Sequence, residues 1–209
     1  MPYPPEHKHN IRQKILDSAR RLFNHRGFSE VSIGAIMSDA GLSHGGFYRY
    51  FSSKEELYAE AIRYFLCTKT PEPWQSARHA QSAATKPRAE RMIDAYFSRD
   101  HFNDCERCCP LIGLPSDVAR SGDTVKAAYR EVLEMLVEAL ETALNGPEAR
   151  ERALAAAALC AGGMILARGV DDAALADDLR IAARRQALRM LGLGTAGETM
   201  VRVVGAVAE

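Results

Sequence analysis

The sequence predicts an all-α fold of about nine helices, and three observations support that prediction. Apolar residues recur at spacings of three and four through most of the chain, which is the period of an amphipathic helix. Serine and glycine stand at the ends of these periodic stretches, where helices start and stop. No stretch before residue 199 alternates apolar and polar residues as a half-buried strand does.

Four short helices are predicted in the first third of the chain. Gly27 closes the first as a C-terminal cap. Ser32 and Ser43 are the N-caps of the second and third, because a serine hydroxyl can accept an N–H of the first turn. Ser53 and Glu56 have capping-box spacing and start the fourth. The predicted spans are 10–26, 32–40, 43–51 and about 54–68.

Five longer helices are predicted after a loop-like stretch rich in Pro, Ser, Thr and Gln at residues 70–87. Their spans are 87–102, 111–120, 123–144, 148–168 and 172–191. The change of composition divides the chain into an N-terminal domain of residues 1–54, a linking helix at about 54–68 and a second domain of residues 69–192. Residues 193–209 form a tail without a predicted structure.

Composition and charge exclude several classes of protein. Formal net charge is zero, yet residues 1–54 carry eight Lys and Arg against four Asp and Glu, which favours a polyanionic partner for this part. The longest apolar run, 153–167, is shorter than the roughly 20 residues that a membrane span needs. No signal peptide is recognisable, and five cysteines do not indicate a disulfide framework. We therefore expect a cytoplasmic protein with no membrane association.

The stretch "AGLS" joins the second and third short helices in helix-turn-helix form, and "HGGFYRYF" continues the third. The second helix of such a motif enters the major groove of DNA. Gly45 and Gly46 lack side chains where the backbone would approach DNA. Phe47 and Phe51 are four residues apart and face the core, whereas Tyr48 and Arg49 face outward as phosphate or base donors. A helix–Gly–helix corner also occurs in all-α proteins that never bind DNA.

The N-terminal quarter resembles the TetR family of transcriptional regulators. The resemblance is carried by "ILDSARRLFNHRGFSEVSIGAIMSDAGLSHGGFYRYFSSKEELYAEAI" and covers roughly residues 11 to 65. The rest of the chain matches the family only in the number, length and order of its helices. The resemblance implies a regulator without enzymatic activity or cofactor that binds a near-palindromic double-stranded DNA operator.

The resemblance assigns roles to several residues of the N-terminal domain. Ser32, Tyr48 and Lys54 match phosphate-contacting positions of the family. Ser43 and His44 match the start of its recognition helix, and Gly45 matches a glycine that permits close base contact.

Two residues depart from the family's pattern. Gly46 stands where the family usually has a side chain that touches a base, and Tyr50 stands where histidine is common. His44 and Arg49 are therefore expected to carry sequence preference, while Tyr50 can still reach a phosphate.

The resemblance also assigns the last two helices to a homodimer interface, since both are rich in small residues that permit close packing. These residues are Ala155, Ala156, Ala157, Ala161, Gly162, Gly163, Ala182, Ala183 and Ala187. Packing within one subunit is the alternative. The candidate residues for an effector pocket are Phe65, Trp74, Tyr96, Phe97, Tyr129, Met135 and Met164, and core packing is again the alternative.

Three cysteines within five residues, Cys105, Cys108 and Cys109, form the most unusual local feature. Cys109 precedes Pro110 at a predicted helix start, and the helix dipole and Arg107 are expected to lower its pKa. A resemblance of "CP...L" to some TetR-like regulators makes Cys109 the candidate sensor of oxidants or electrophiles. Packing of inert thiols stays open as an alternative.

Two further interpretations use a histidine near these cysteines. His101 with Cys105, Cys108 and Cys109 offers four zinc ligands for a metal-sensing regulator, although no second pair with metal spacing exists. A cysteine enzyme would use Cys109 as nucleophile and His101 as base. We expect neither a bound metal nor catalysis, and predict a repressor released from its operator by a small molecule or by cysteine modification.

Overall fold

The computed structural model describes residues 5–67 and 86–193, and the regular secondary structure in these ranges is helical, with no strand. It contains ten α-helices and one 3-10 helix. The α-helices are α1 (Pro5–Glu30), α2 (Ile33–Asp39), α3 (Lys54–Cys67), α4 (Arg88–Tyr96), α5 (Arg99–Asn103), α6 (Pro110–Gly113), α7 (Pro115–Ala119), α8 (Asp123–Glu141), α9 (Ala149–Arg168) and α10 (Ala173–Met190). The 3-10 helix, His44–Arg49, lies between α2 and α3. The predicted fold class is confirmed.

Within residues 5–67 and 86–193 there are eleven helices where the sequence predicts nine, because two of the predicted helices are each divided in two. The predicted span 87–102 divides at Ser98, whose hydroxyl accepts the N–H of His101 and so starts α5. The predicted span 111–120 divides before Pro115, because proline has no N–H and takes the first position of α7.

The first helix begins at Pro5, five residues before the predicted start at Asn10. Its added turn is polar and exposed and therefore has no apolar period to detect. Gly27 interrupts the helix as predicted, since it has a φ of 80° and leaves the helical conformation. The short segment beyond it, to Glu30, is again helical.

The N-terminal helices pack around a core that includes Ile15, Phe23, Phe47 and Leu57, all essentially inaccessible to solvent. The same hydrophobic core continues into α4, α8 and α9 without a break. Helix α3 packs on both α1 and α8, and its Arg63 makes a bidentate ion pair with Glu131 of α8. This helix therefore connects the N-terminal helices to the C-terminal helices.

The last two helices, α9 and α10, pack closely against each other along much of their length. Asp172 caps α10 by accepting the N–H groups of Ala174 and Leu175. Gly192, with a φ of 70°, follows the end of α10, where the sequence predicts a stop. None of the described helices is both long and apolar enough to cross a bilayer.

Candidate nucleic-acid interface and cysteine segment

The 3-10 helix His44–Arg49 separates a buried aromatic side from an exposed polar side. Phe47 and Phe51 are buried, as predicted, and their rings stack with centroids 5.8 Å apart. Tyr48 is 65% exposed, and His44 and Arg49 are also exposed. The predicted core residues are therefore confirmed, and His44, Tyr48 and Arg49 of the same helix are exposed to solvent.

Ser43 precedes this helix, but its hydroxyl makes no capping hydrogen bond, so the predicted side-chain cap is wrong. The segment is a tight 3-10 turn of six residues in which the backbone closes its own bonds, for example from Gly46 N–H to the Ser43 carbonyl at 3.0 Å. Ser43 is exposed, and its hydroxyl is available to another partner.

The two glycines differ in their surroundings. A Cβ added at Gly45 would meet no atom within 4 Å, so nothing inside the protein requires glycine there. A Cβ at Gly46 would lie 3.6 Å from Met37 Cε, which is ordinary contact. Neither has a positive φ. The missing side chain at Gly45 therefore shapes the outer surface, which agrees with the predicted close approach of DNA.

The predicted phosphate-contacting residues Ser32 and Lys54 lie at the starts of α2 and α3. The Ser32 hydroxyl caps α2 by accepting the N–H of Ala35 at 3.1 Å, as predicted. Lys54 Nζ donates to the carbonyl of Phe28 at 2.5 Å and lies 4.2 Å from the centroid of the Phe28 ring. Burial lowers the pKa of Lys54. Tyr50 is half-buried, and the DNA contacts of all these residues stay predictions.

The capping box at the start of α3 forms in a modified arrangement. The N–H of Glu56 donates to the Ser53 hydroxyl at 3.0 Å, as the spacing predicts. The Glu56 carboxylate binds the N–H and hydroxyl of Ser52 instead of the Ser53 N–H. These bonds lower the pKa of Glu56.

The cysteine segment, residues 105–109, runs between α5 and α6 and exposes only its first thiol. Cys105 is exposed, whereas Cys108 and Cys109 are buried. Burial raises the pKa of Cys108, and it raises the pKa of Cys109 to about 12. The predicted low pKa of Cys109 is therefore wrong. The cost of placing a thiolate in the apolar interior outweighs both the four-residue helix α6 and the nearby arginines.

His101 uses both ring nitrogens to hold the end of this segment. Its Nδ1 lies 2.7 Å from the carbonyl of Tyr96, and its Nε2 accepts the N–H of Cys109 at 3.2 Å. This arrangement fits the neutral ring with a proton on Nδ1, and burial lowers the pKa of His101 to about 4. Because both ring nitrogens are hydrogen-bonded to the backbone, His101 is available neither as a zinc ligand nor as a catalytic base. The zinc interpretation and the cysteine-enzyme interpretation both required it.

No group of three or more His, Cys, Asp or Glu side chains within residues 5–67 and 86–193 is placed to hold a metal ion. The four residues of the zinc interpretation all lie within these ranges.

The cysteine segment is hydrogen-bonded directly to the N-terminal domain. Asn24 of α1 donates from Nδ2 to the carbonyls of Glu106 and Cys108, at 3.0 and 3.1 Å. On the opposite side, Arg168 at the end of α9 donates to the carbonyls of His101 and Phe102. The cysteine segment is thus bound to α1, and helix α5, which precedes it, is bound to the end of α9. Sequence reasoning missed Asn24 and Arg168, because a polar side chain that binds a distant backbone leaves no periodic signal.

The candidate pocket residues fall into three groups. Phe65, Tyr96, Phe97 and Met164 are buried within the continuous core, and Tyr129 and Met135 are half-buried against it. Trp74 lies outside the described residues. Burial is common to pocket linings and to core packing, so the pocket stays a prediction.

The small residues of α9 and α10 serve two different surfaces. Ala156, Ala157 and Ala187 are buried within the subunit. Gly163 also faces inward, since an added Cβ there would overlap the Cβ of Ala183. These four therefore pack within one subunit, contrary to the predicted dimer role, whereas a Cβ at Gly162 would meet open space.

Both helices carry apolar side chains on the outside of the subunit. The exposed large apolar residues of the two helices are Leu154, Ile165, Leu166, Leu175 and Ile181. Leu154, Ile165 and Leu166 are on α9, and Leu175 and Ile181 are on α10. A contiguous patch of such side chains is typical of protein–protein interfaces, so these residues are the ones to test for assembly.

Known proteins match the chain in two ways. Residues 15–61 match the family model described as "Bacterial regulatory proteins, tetR family". The regulator AcrR of Shigella flexneri is 45% identical over 49 residues, which is 23% of each chain. The repressor KstR2 of Mycolicibacterium smegmatis is 31% identical over 88 residues, or 41% of this chain and 40% of that protein. These matches therefore span between about a quarter and two fifths of the relatives' lengths.

Similarity of fold extends over most of the chain. The crystal structure of the reduced form of E. coli NemR superimposes with a TM-score of 0.68, covering 87% of this chain and 96% of that one at 18% identity. The fold places a helix-turn-helix within the matched residues 15–61, and the helices that follow share its hydrophobic core. The sequence of residues 15–61 is therefore similar to that of the tetR family of bacterial regulatory proteins, and most of the chain has a fold similar to that of a solved TetR-family structure, the transcriptional regulator from Agrobacterium tumefaciens.

Proposed function

We propose that the chain is a dimeric transcriptional repressor that binds operator DNA through the exposed side of its 3-10 helix. This proposal rests on the difference between the buried side and the exposed side of that helix. Phe47 and Phe51 anchor it in the core while His44, Tyr48 and Arg49 face solvent around a glycine that no internal contact requires. A surface of this shape fits the major groove, with donors on side chains and an open backbone at Gly45.

Different residues of this surface have different proposed roles. Tyr48 and Lys54 bind phosphates, so they contribute to affinity at every sequence. His44 and Arg49 contact base edges and provide selectivity. Gly46 contributes no side chain to base readout, which leaves these two residues responsible for more of it.

Selection of duplexes from a random pool, followed by titration at several salt concentrations, tests these roles. Tyr48→Phe and Lys54→Ala should weaken selected and unselected duplexes by the same factor, and Lys54→Ala should reduce the salt slope by about 1. Arg49→Ala and His44→Ala should relax the selectivity. Unchanged selectivity in both of these variants would contradict the assigned readout, and failure of the wild type to enrich any sequence would contradict the proposed function.

A homodimer through α9 and α10 is the proposed assembly. The exposed Leu166 and Ile181 and the open position at Gly162 support it, since they offer apolar area with room for a close helix approach. A two-fold dimer reads half-sites about 34–36 Å apart, so the operator should be an approximate palindrome.

Release from DNA is proposed to follow a change in the C-terminal helices, caused by a small molecule or by oxidation of the cysteine segment. The similarity to KstR2, which is named a transcriptional repressor, supports repression over activation. For oxidation, the supporting observations are the exposed Cys105 and the two hydrogen bonds that tie Glu106 and Cys108 to Asn24. A change in this segment would therefore act on α1 directly.

The proposed thiol chemistry begins at Cys105 instead of Cys109. A peroxide oxidises the Cys105 thiol to a sulfenic acid, and the peroxide is reduced to water or the corresponding alcohol. The Cys108 thiol then attacks that sulfur, forming a disulfide and releasing water. Because Cys108 is buried and its carbonyl accepts from Asn24, disulfide formation has to draw it outward and break that bond.

Mobility shifts across a peroxide titration distinguish the cysteines. Wild type and Cys109→Ser should both lose the operator and recover it with dithiothreitol, whereas Cys105→Ser should retain it. A Cys105→Ser variant that responds like the wild type, or a wild type that ignores peroxide, would contradict thiol sensing here and leave effector binding as the route of release.

A further inference from the structure

Asp117 of α7 reaches from the C-terminal helices to the end of α1. Its Oδ2 accepts the backbone N–H of Phe28 at 2.7 Å. A Cβ at Gly27 would lie 2.9 Å from the same oxygen, and Gly27 has a φ of 80°. Glycine is therefore needed at this position for two reasons, since it adopts the left-handed conformation and leaves room for the carboxylate.

Phe28 makes a second backbone contact, through its carbonyl, with the first residue of α3. The Phe28 carbonyl accepts from Lys54 Nζ at 2.5 Å, and the lysine also covers the Phe28 ring. That ring stacks on Tyr58 of α3 with centroids 4.7 Å apart. Phe28 is thus held by Asp117 through its N–H and by Lys54 through its C=O.

We propose that Asp117 is a positioning residue for DNA binding, which acts through Phe28 on Lys54. It fixes the residue that orients the lysine, and it fixes the start of the short connection from Phe28 to Ser32. Both Lys54 and Ser32 are phosphate-contacting residues in the proposed function, on which this inference rests. Asp117 thereby connects the C-terminal helices to the first residue of α3 through Phe28, in addition to the packing of α3 on α8.

Neighbouring contacts make Asp117 responsive to the C-terminal helices. Arg120 binds its other oxygen, Oδ1, at 2.9 Å. The short helices α6 and α7 follow the cysteine segment without a long linker, and α7 packs against α8. A displacement of residues 105–115 would therefore move the carboxylate relative to Phe28.

A double-mutant cycle on the full-length protein tests the inference. Asp117→Ala removes the acceptor, whereas Asp117→Asn keeps an oxygen of nearly the same position and size. We expect Asp117→Ala to weaken selected and unselected duplexes alike by about tenfold, since a hydrogen bond to a charged group contributes about 1.5 kcal/mol. Asp117→Asn should bind within about threefold of wild type, because most of that hydrogen bond is retained.

The effect of Asp117→Ala on DNA affinity, measured in a protein that also carries Lys54→Ala, separates a positioning role from a structural one. There, Asp117→Ala should change affinity by less than about twofold, because the lysine through which it acts is gone. Thermal unfolding identifies any variant that fails to fold. If Asp117→Ala does not fold, the DNA affinity of Asp117→Asn and the salt dependence of its binding provide the test.

Two results would overturn the inference while leaving DNA binding intact. One is a wild-type affinity in Asp117→Ala, and the other is an equal loss in the presence and absence of Lys54. If the wild-type protein bound no duplex even at low salt, the proposed function itself would fail and this inference with it.

Discussion

Lowering the pH from 7 to 5 should destabilise the folded chain through a single buried histidine. His101 is 7% exposed and accepts the Cys109 N–H on Nε2, so protonation would place two N–H donors against each other. Burial is the main cause of its lowered pKa, about 4. The nearby charge of Arg168 lowers this pKa further, and that of Asp104 opposes the shift.

The sign and size of the effect follow from the two pKa values. An unfolded histidine has its ordinary pKa of 6.5, so between pH 6.5 and 4 the unfolded chain binds a proton that the folded chain does not. Stability is therefore lost as the pH falls. Linkage over this difference gives about 2 kcal/mol lost between pH 7 and 5, and about 3 kcal/mol once the pH is below 4.

Urea unfolding of wild type and His101→Gln at pH 7, 6 and 5 measures this contribution. The variant is less stable at pH 7, but its stability should fall by about 2 kcal/mol less over the range, because glutamine does not titrate. Carboxylates such as Glu56 and Glu131, whose pKa values hydrogen bonds lower, titrate in both proteins and cancel in the difference. Parallel stability curves for the two proteins would refute the assignment of a neutral His101.

Three further substitutions test the fold and the assembly. Gly163→Ala should cost about 1–3 kcal/mol of unfolding free energy, because its Cβ would overlap Ala183. Adding Ala183→Gly to the same chain should recover part of this loss. An unchanged melting temperature in Gly163→Ala would contradict the close approach of α9 and α10. Leu166→Glu, at a side chain 60% exposed, should convert the dimer to a monomer in sedimentation, and an unchanged dimer would move the interface elsewhere. Ser32→Ala should cost about 1 kcal/mol in chemical unfolding through loss of the cap on Ala35, and an unchanged midpoint would contradict that cap.

The helices were predictable because their signals are local. The apolar period and terminal residues such as Asp172 and Gly192 placed α8, α9 and α10 to within a few residues of their observed ends. Breaks inside predicted helices were missed at Ser98 and Pro115. Serine is compatible with a helix interior, so the apolar spacing across Ser98 fitted one longer helix. Pro115 follows only a few residues after Pro110, so the residues around it were also assigned to one helix.

The buried side of the 3-10 helix was predictable for the same reason, since the spacing of four residues between Phe47 and Phe51 indicates which side faces the core. The chemistry of the cysteine segment was not predictable. A sequence places Cys109 beside a helix start and an arginine, which both lower the pKa of a thiol. Only the folded chain reveals that the thiol is buried, and burial has the larger effect.

Contacts between distant backbone and side-chain groups were beyond sequence reasoning altogether. Asn24 and Asp117 each bind backbone groups more than 80 residues away. Such contacts depend on how α1 and α7 are packed, and neither residue type distinguishes them from ordinary surface polar residues. Gly27 gave a partial signal, but as a helix cap and not as a space for Asp117.

Binding of wild type and Gly45→Val to a selected operator duplex, with thermal unfolding of both, tests the central claim most directly. The position is open, so valine should leave the melting temperature nearly unchanged. Its branched side chain should hold the 3-10 helix away from the groove and abolish specific binding. Wild-type affinity in a folded Gly45→Val protein would contradict the claim that this helix is the DNA-reading surface.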